Sequence, residues 1–279
     1  LEAVPVRVPG IFQEALPAYH GVAWYWREFT PPANPYEGGH CLLRFHAIDY
    51  LADVWLNDTH VGSHEGGETP FTLDITEALL SGQMNRLAVR VLNPTAEPID
   101  GVILSQTPHR NKGASGIVVG GSYNSGGIIE PVELFWTPAV RVEDVFVRPD
   151  WNTGLVRVQT TVINASPAPV KGLLQLTIAP ALGNHIAAKL EFTQNLPMGS
   201  SAIESELKVE NHRLWQLDDP FLYRLITRVA PASPPESSHA QPHAHFTRFG
   251  FRDFRVEKGY FRLNGKRIFL KSSHTGNHC

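Results

Sequence analysis

Cys41-Leu-Leu-Arg-Phe-His-Ala-Ile48 is the stretch that decides the fold class. Its odd-numbered residues are small or apolar, while Arg44 and His46 stand between them. Successive side chains of a β-strand point to opposite faces, so this alternation predicts a strand with one buried face. A helix would instead space its apolar residues three and four positions apart. We therefore predict an all-β fold and extend the prediction outward from this strand.

The residues on either side predict a hairpin and further short strands. Ala52-Asp-Val-Trp-Leu-Asn57 repeats the period of two, and Asn57-Asp58 supplies turn residues that tolerate positive φ before Thr59–Gly62 returns. Only Thr76–Leu80 suggests a helix, of a single turn. Further strands are predicted at Trp24–Phe29, Phe71–Ile75, Arg86–Leu92 and Pro131–Trp136. Together they predict a β-sandwich of jelly-roll type over residues 1–138.

A second block of strands begins near Val140. The predicted strands are Val142–Val147, Leu155–Asn164, Val170–Ile178, Ala188–Phe192, Ile203–Val209, Phe221–Val229 and His245–Phe249. Seven strands in about 100 residues predict an immunoglobulin-like sandwich over residues 139–249. The chain has no cysteine pair for an inter-sheet bridge, so this sandwich lacks the disulfide. Trp215 and Tyr223 are expected to anchor its core.

The composition excludes several classes of protein. The chain has 279 residues, a net charge of -3 and 42% hydrophobic residues, which describes a globular protein of two domains. The charge gives no reason to expect nucleic acid or an anionic membrane as a partner. Neither a membrane-spanning apolar stretch nor a signal peptide is expected. The periplasm, the extracellular space and the cytoplasm all stay open as locations. Of the two cysteines, Cys41 is expected to be a buried thiol.

Three stretches carry a resemblance to a known family. They are Gly21-Val-Ala-Trp-Tyr-Trp-Arg-Glu-Phe29, Gly126-Gly-Ile-Ile-Glu-Pro-Val132 and the run from Arg248 to Lys271. With Asp53–Asp58 and Val61–Gly67 between them, their order resembles the family 2 glycoside hydrolases, the β-galactosidase, β-glucuronidase and β-mannosidase group. The resemblance implies a sugar-binding jelly roll, an immunoglobulin-like domain and then a catalytic (β/α)8 barrel. Residues 250–279 would be a linker hairpin and a short C-terminal stub of that barrel, with its first strand at Ile268–Lys271. One departure is Asn57-Asp58, where the family usually has Asn-Gly.

The same resemblance implies where the chemistry lies. Family 2 enzymes hydrolyse terminal β-glycosidic bonds by a retaining double displacement, with two glutamates at the ends of barrel strands. A barrel needs roughly 250 residues, far more than residues 251–279 provide. We therefore assign no catalytic residue here and expect a non-catalytic N-terminal fragment of a β-galactosidase-like O-glycosyl hydrolase. Whether the chain by itself is an enzyme stays open.

Substrate-binding residues are expected in two segments. Asp100–Ser125 is a long excursion between strands, and such loops are uncommon unless functional or disordered. By the resemblance, Asp100, His109, Arg110, Asn111, Lys112 and Asn124 line the substrate pocket, and Arg110 or Lys112 could bind the carboxylate of a uronic acid. His274, Asn277 and His278 sit where the family has a Gly-x-Asn-x-His run, although His274 falls where asparagine is usual. A glycine-rich surface loop with incidental polar residues is the alternative for the excursion.

No cofactor or metal is predicted, because the His-x3-His pair at 274 and 278 lacks a third ligand. The expected partners are carbohydrate, through the intact enzyme, and the chain's own C-terminal barrel; oligomerisation stays open. Two other functions remain: a stand-alone carbohydrate-binding module, and a structural tandem of β-sandwiches without sugar affinity. An exposed aromatic platform would favour the module. Its candidates are Trp24, Trp26 and Trp55, which the strand patterns assign to core packing.

Overall fold

The computed structural model describes residues 3–107, 124–233 and 242–271. These residues fall into two compact units. The first contains residues 3–35, 39–107 and 124–136, and the second contains residues 36–38, 137–233 and 242–271. Each unit is built of β-strands, so the all-β prediction is confirmed.

Short strands build the first unit into a sandwich of jelly-roll type. Its described strands are β1 (Gly21–Phe29), β2 (His40–Phe45), β3 (Ile48–Asp49), β4 (Leu51–Leu56), β5 (Thr59–Glu65), β6 (Phe71–Asp74), β7 (Asn85–Asn93), β8 (Gly127–Ile128) and β9 (Val132–Thr137). Within the described residues they form sheets in the orders β1-β7-β4-β5, β6-β2-β9 and β3-β8. Single 3-10 turns lie at Phe12–Glu14, Thr76–Ala78 and Leu104–Gln106.

The core of the first unit follows the predicted alternation. In β2, Cys41, Leu43 and Phe45 are all buried in one cluster with alternate residues of β4 and β7. The β4 residues of this cluster are Ala52, Val54 and Leu56, as the period of two requires. Burying such side chains contributes about 1.5 to 3 kcal/mol each for the larger ones, so this apolar layer is what stabilises the sandwich.

The hairpin between β4 and β5 forms at the predicted turn. Asn57 and Asp58 have φ values of 48° and 68°, a region that asparagine and aspartate tolerate better than other side chains. The Asn57 amide donates to the carbonyl of Ala78 at 2.9 Å, and its oxygen accepts from the backbone N–H of Arg86 at 2.9 Å. These bonds explain why the turn survives without the Asn-Gly pair that the family usually has.

The second unit is the predicted immunoglobulin-like sandwich followed by a small sheet. Its described strands are β10 (Val140–Pro149), β11 (Leu155–Asn164), β12 (Val170–Pro180), β13 (Ala188–Leu196), β14 (Gly199–Lys208), β15 (Tyr223–Pro231), β16 (His243–Phe249), β17 (Phe254–Glu257), β18 (Tyr260–Leu263) and β19 (Lys266–Arg267). The described strands form sheets in the orders β10-β11-β14, β13-β12-β15-β16 and β17-β18-β19. All seven predicted strands of the sandwich are present.

The aromatic anchors of the second unit differ in burial. Tyr223 is buried and packs against the rings of Phe249 and Phe251, and its hydroxyl accepts from the backbone N–H of Arg213 at 2.9 Å. Trp215 is half-buried, and the guanidinium of Arg252 lies 5.0 Å from its ring centroid. The prediction of a core anchor is therefore confirmed for Tyr223 and holds only in part for Trp215.

The residues after Gly250 form a small sheet. The predicted hairpin is present between β18 and β19, where Asn264 and Gly265 have φ values of 49° and 76°. Residues 268–271 form no strand in the described structure, so the predicted first barrel strand is not confirmed. The N–H of Ile268 donates to the carbonyl of Phe261 at 2.9 Å. Throughout the described residues, no helix has the length and hydropathy needed to cross a membrane.

Candidate functional site

A buried asparagine marks the base of the long excursion. Asn93 ends β7, and its side chain is fully buried although asparagine is usually exposed. Space for it exists because the neighbouring residue on the returning chain is Gly126: a Cβ there would lie 2.5 Å from Cβ of Asn93. The two ends of the excursion therefore meet at the buried side chain of Asn93.

The Asn93 amide connects both ends of the excursion. Its nitrogen donates to Oδ1 of Asn124 at 2.8 Å, and the Asn124 nitrogen donates to the carbonyl of Pro94 at 2.7 Å. Its oxygen lies 2.8 Å from Nδ1 of His20. An amide oxygen can only accept, so this contact requires a hydrogen on Nδ1 of His20; the Asn124 nitrogen lies farther from the same Nδ1, at 3.4 Å.

Gln13 supports this network from the N-terminal segment. Its amide nitrogen donates to the carbonyl of Tyr19 at 2.9 Å, and its oxygen accepts from the N–H of Gly126 at 3.1 Å. The same nitrogen lies 3.4 Å from the oxygen of Asn93. A buried network with its partners in place holds its side chains rigidly. Asn124 is therefore a fixed polar group rather than a freely moving one.

Asp100 belongs to a different network, on the face of the sheet β1-β7-β4-β5. It lies in a turn between Ile99 and Val102 with a φ of 50°, and its carboxylate accepts from Arg90. The other guanidinium nitrogen of Arg90 donates to Asp53 at 3.2 Å. Arg90 thus lies between two carboxylates and ties the start of the excursion to the sheet.

The same sheet face carries an exposed aromatic surface. Trp24 and Trp26 are 43% and 60% exposed, so the prediction that they pack in the core is wrong. In β1 it is Ala23 and Tyr25 that face the core cluster, which leaves the tryptophans on the outer face. Trp55 is half-buried, and its ring centroid lies 5.2 Å from that of Trp24.

The tryptophans border a shallow depression of about 250 Å³. It is lined by Trp24, Trp55, Asp58, Arg86 and Ala88. Ala88 lies on β7, between the strands that carry Trp24 and Trp55, and is paired with Trp26 on one side and Trp55 on the other. Its small side chain leaves the depression open beneath the two indoles.

Most of the predicted substrate-binding residues fall outside the described residues. His109, Arg110, Asn111, Lys112, His274, Asn277 and His278 all lie there. The two that are described, Asp100 and Asn124, belong to separate hydrogen-bond networks. In the described ranges no three His, Cys, Asp or Glu side chains cluster as a metal site would require.

Models of one protein family match most of the chain. The model of the glycosyl hydrolases family 2 sugar binding domain matches residues 4–138, and the glycosyl hydrolases family 2 model matches residues 140–252. The chain belongs to glycosyl hydrolase family 2. The networks around Asn93 and Arg90 and the tryptophan surface all lie in its sugar-binding domain.

Relatives of this family 2 chain include known glycosidases. A β-glucuronidase of Sus scrofa is 33% identical over 96% of the chain, and one of Paenibacillus borealis is 26% identical over 97%. The chain covers 41% and 44% of these two relatives, less than half of their length. A crystal structure of a family 2 member from Bacteroides cellulosilyticus superimposes with a TM-score of 0.74 at 25% identity, covering 95% of this chain and 35% of that one.

Sequence reasoning missed the residues that hold the two hydrogen-bond networks of this candidate site together. Asn93 could have been found, since it is a polar residue on the same face of its predicted strand as Leu87, Val89 and Val91. Arg90 and Asp53 stood on the polar faces of their predicted strands, where nothing distinguishes a paired charge from a solvated one. His20 and Gln13 lie in a segment without periodicity, so no local signal points to them.

Proposed function

We propose that this chain is the non-catalytic, sugar-recognising part of a family 2 glycosidase that hydrolyses terminal β-glycosidic bonds with retention. The match of both family models carries this proposal. The chain spans less than half the length of the β-glucuronidases it resembles. In this proposal residues 1–138 recognise the sugar, 139–249 support the catalytic barrel, and 250–279 lead into it.

The carboxylates of the first unit support a non-catalytic role. Glycoside hydrolysis needs one carboxyl group as acid and a second as nucleophile or base, about 5 to 10 Å apart. Asp53 and Asp100 approach the same guanidinium, and Arg90 between them forms ion pairs with both. Glu65 is likewise engaged, because its Oε1 accepts from the Tyr50 hydroxyl at 2.7 Å.

The base of the excursion supports a role in shaping the substrate pocket. Binding sites place a small number of fixed polar groups to orient a ligand. Asn124 is fixed by Asn93 and Pro94, and Asp100 by Arg90, so both ends of the excursion are anchored. Of the predicted pocket residues, His109, Arg110, Asn111 and Lys112 fall between these anchors in sequence. We therefore place the rim of the sugar pocket on this excursion.

The sheet β17-β18-β19 supports the presence of a further domain against it. Phe254 pairs with Leu263 and Val256 with Phe261, which puts these four apolar side chains on one face. Phe254, Val256 and Phe261 are 51%, 65% and 40% exposed. The opposite face carries charges, with Arg255 and Arg262 near Glu257. An exposed apolar face next to a charged one is typical of a surface that another domain covers, and we assign it to the catalytic barrel.

Site-directed variants in the complete reading frame that contains these 279 residues test the pocket role. For Asn124→Ala we expect kcat/KM on p-nitrophenyl β-glucuronide or β-galactoside to fall by about tenfold or more, a loss of at least ~1.4 kcal/mol of transition-state binding. Asn152→Ala removes an exposed turn amide in the second unit and is the control. Unchanged kinetics in Asn124→Ala, with the complete protein active, would remove the excursion from the site.

A further inference from the structure

The outer face of the sheet β1-β7-β4-β5 carries a continuous row of aromatic rings. Ring centroids are 6.3 Å apart between Trp26 and Trp24, 5.2 Å between Trp24 and Trp55, and 5.0 Å between Trp55 and His60. Neighbouring strands lie about 4.8 Å apart, so the row crosses about 14 Å of the sheet. It is long enough for more than one sugar ring. We call these four residues the aromatic row.

Two observations separate the aromatic row from ordinary packing. Trp24 and Trp26 are exposed, whereas the other face of β1 packs on the core. The ring planes of Trp24 and Trp26 are within 12° of parallel, whereas Trp55 is tilted by 39° to Trp24 and His60 by 59° to Trp55, so the two exposed indoles are the flat part of the row. Scattered exposed apolar residues need no explanation, but adjoining large rings in one row are typical of a binding surface.

Polar groups surround the aromatic row. Arg90 is paired with Asp53 and Asp100, Arg86 lies 3.6 Å from Glu28, and Asp58 borders the depression. These groups can donate to and accept from hydroxyls along the edge of a ligand. An apolar surface with polar groups at its rim suits a pyranose ring, which has C–H faces and hydroxyls at its edge.

The charges at the rim select between classes of glycan. Among the described residues, two guanidinium groups, Arg86 and Arg90, and the imidazole of His60, which lies 3.9 Å from Asp53, face a larger set of carboxylates. That set is Glu28, Asp53, Asp58 and Asp100. A polyuronate or sulfated chain would meet net negative charge there and be repelled. A neutral chain with equatorial hydroxyls, whose axial C–H groups leave both ring faces apolar, fits instead.

We propose that the aromatic row is a second carbohydrate-binding surface, which holds a neutral β-linked oligosaccharide with equatorial hydroxyls. It shares Asp100 with the start of the excursion, and it requires no catalytic domain. The depression over Ala88 would receive a ring edge beside the indoles of Trp24 and Trp55. Such a surface would keep the protein on a glycan chain and does not depend on the proposed hydrolysis.

Titration of the 279-residue chain with cellopentaose tests this proposal, with tryptophan fluorescence and calorimetry as readouts. We expect saturable binding with a dissociation constant of about 1 mM or below, which corresponds to a favourable binding free energy of about 4 kcal/mol or more. Trp26→Ala and Trp24→Ala should weaken it about tenfold or more, and Trp26→Phe should retain part of it. Ala88→Leu, which fills the depression but keeps every indole, should also weaken binding.

The controls decide between this surface and its competitors. Phe246→Ala removes a ring of the second unit that is 65% exposed, and it should bind cellopentaose like the parent chain. Trigalacturonate should bind more weakly than cellopentaose. Absence of saturable cellopentaose binding, equal binding by Trp26→Ala, or tighter binding of trigalacturonate would each overturn the proposal. So would self-association that Trp26→Ala abolishes without any binding of cellopentaose, because the row would then be a contact between copies.

Discussion

Arg90 on β7 donates to Asp53 on the neighbouring strand β4 at 3.2 Å, although both face outward from the sheet. The Arg90 side chain is only 16% exposed, since Trp24 on the other side of β7 stands opposite it in register. Its second nitrogen bonds Asp100 of the excursion. One guanidinium therefore couples the sheet to the start of the long loop.

We predict that Arg90→Met destabilises the chain by about 1 to 3 kcal/mol, because two carboxylates lose their shared partner. Arg86→Met is the matched control, on the same strand and face. Its guanidinium is 67% exposed and lies 3.6 Å from Glu28, so the change should be within about 0.5 kcal/mol. Urea unfolding measures both, and equal losses for the two variants would contradict the role given to Arg90.

Gly126→Ala is expected to destabilise the chain by about 1 to 3 kcal/mol. The added methyl group would stand 2.5 Å from Cβ and 2.8 Å from Cγ of Asn93, so the buried network must move. Gly38→Ala is the comparison, since Gly38 has a φ of 63° but open space around it. Gly38→Ala should lower the free energy of unfolding only by the cost of the positive φ, about 1 kcal/mol. Thermal melts compare the two, and a smaller loss in Gly126→Ala would show that the network tolerates the shift.

Cys41 is predicted to be unreactive in the folded chain. Burial, followed by the negative charge of Asp74, raises the pKa of the Cys41 thiol to about 11. The thiol of an unfolded chain has a pKa of about 8.5, so above this pH the folded state keeps a proton that the unfolded state loses. The contribution of Cys41 to the free energy of unfolding therefore falls as the pH rises from about 8.5 to 11. In a Cys279→Ser variant, a thiol reagent at about pH 8 should react only after unfolding in urea. Rapid reaction of the folded protein would contradict the burial of Cys41.

The apolar face of β17 and β18 gives a prediction that differs between the short and the complete protein. Phe254→Ser combined with Val256→Ser should change the stability of the 279-residue chain by less than about 0.5 kcal/mol, because both side chains are exposed. In the complete reading frame the same pair should lower the melting temperature and the glycosidase activity. Phe246→Ser, on β16, should do neither. An unaffected complete protein would show that the barrel does not pack on this face.

The strands could be predicted because their residues alternate with a period of two. Leu43, Val54 and Val158 all fall on buried faces that the alternation specifies. Trp24 and Trp26 could not be placed in this way, since tryptophan is apolar enough for a core and β1 has aromatic residues on both faces. The side chain of Tyr25 packs against the core instead. A shift of one residue in the register of a strand exchanges its buried face for its exposed face.

The candidate site was less predictable because its contacts are long-range. Asn93, Asn124 and His20 are brought together by the pairing of strands, and no spacing in the sequence links them. The excursion itself was visible as a long non-periodic stretch, and the family resemblance pointed to Asp100 and Asn124 within it. Their separate networks depend on Arg90 and Asn93, which look like ordinary strand residues until the sheet is formed.

Release of p-nitrophenol from aryl β-glycosides is the measurement that tests the central claim most directly, made side by side on the 279-residue chain and on its complete reading frame. We predict turnover by the complete protein, with retention of anomeric configuration seen by NMR, and none above background by the 279 residues alone. Turnover by the short chain that is lost when one of its own carboxylates is replaced, or an inactive complete protein, would contradict the claim.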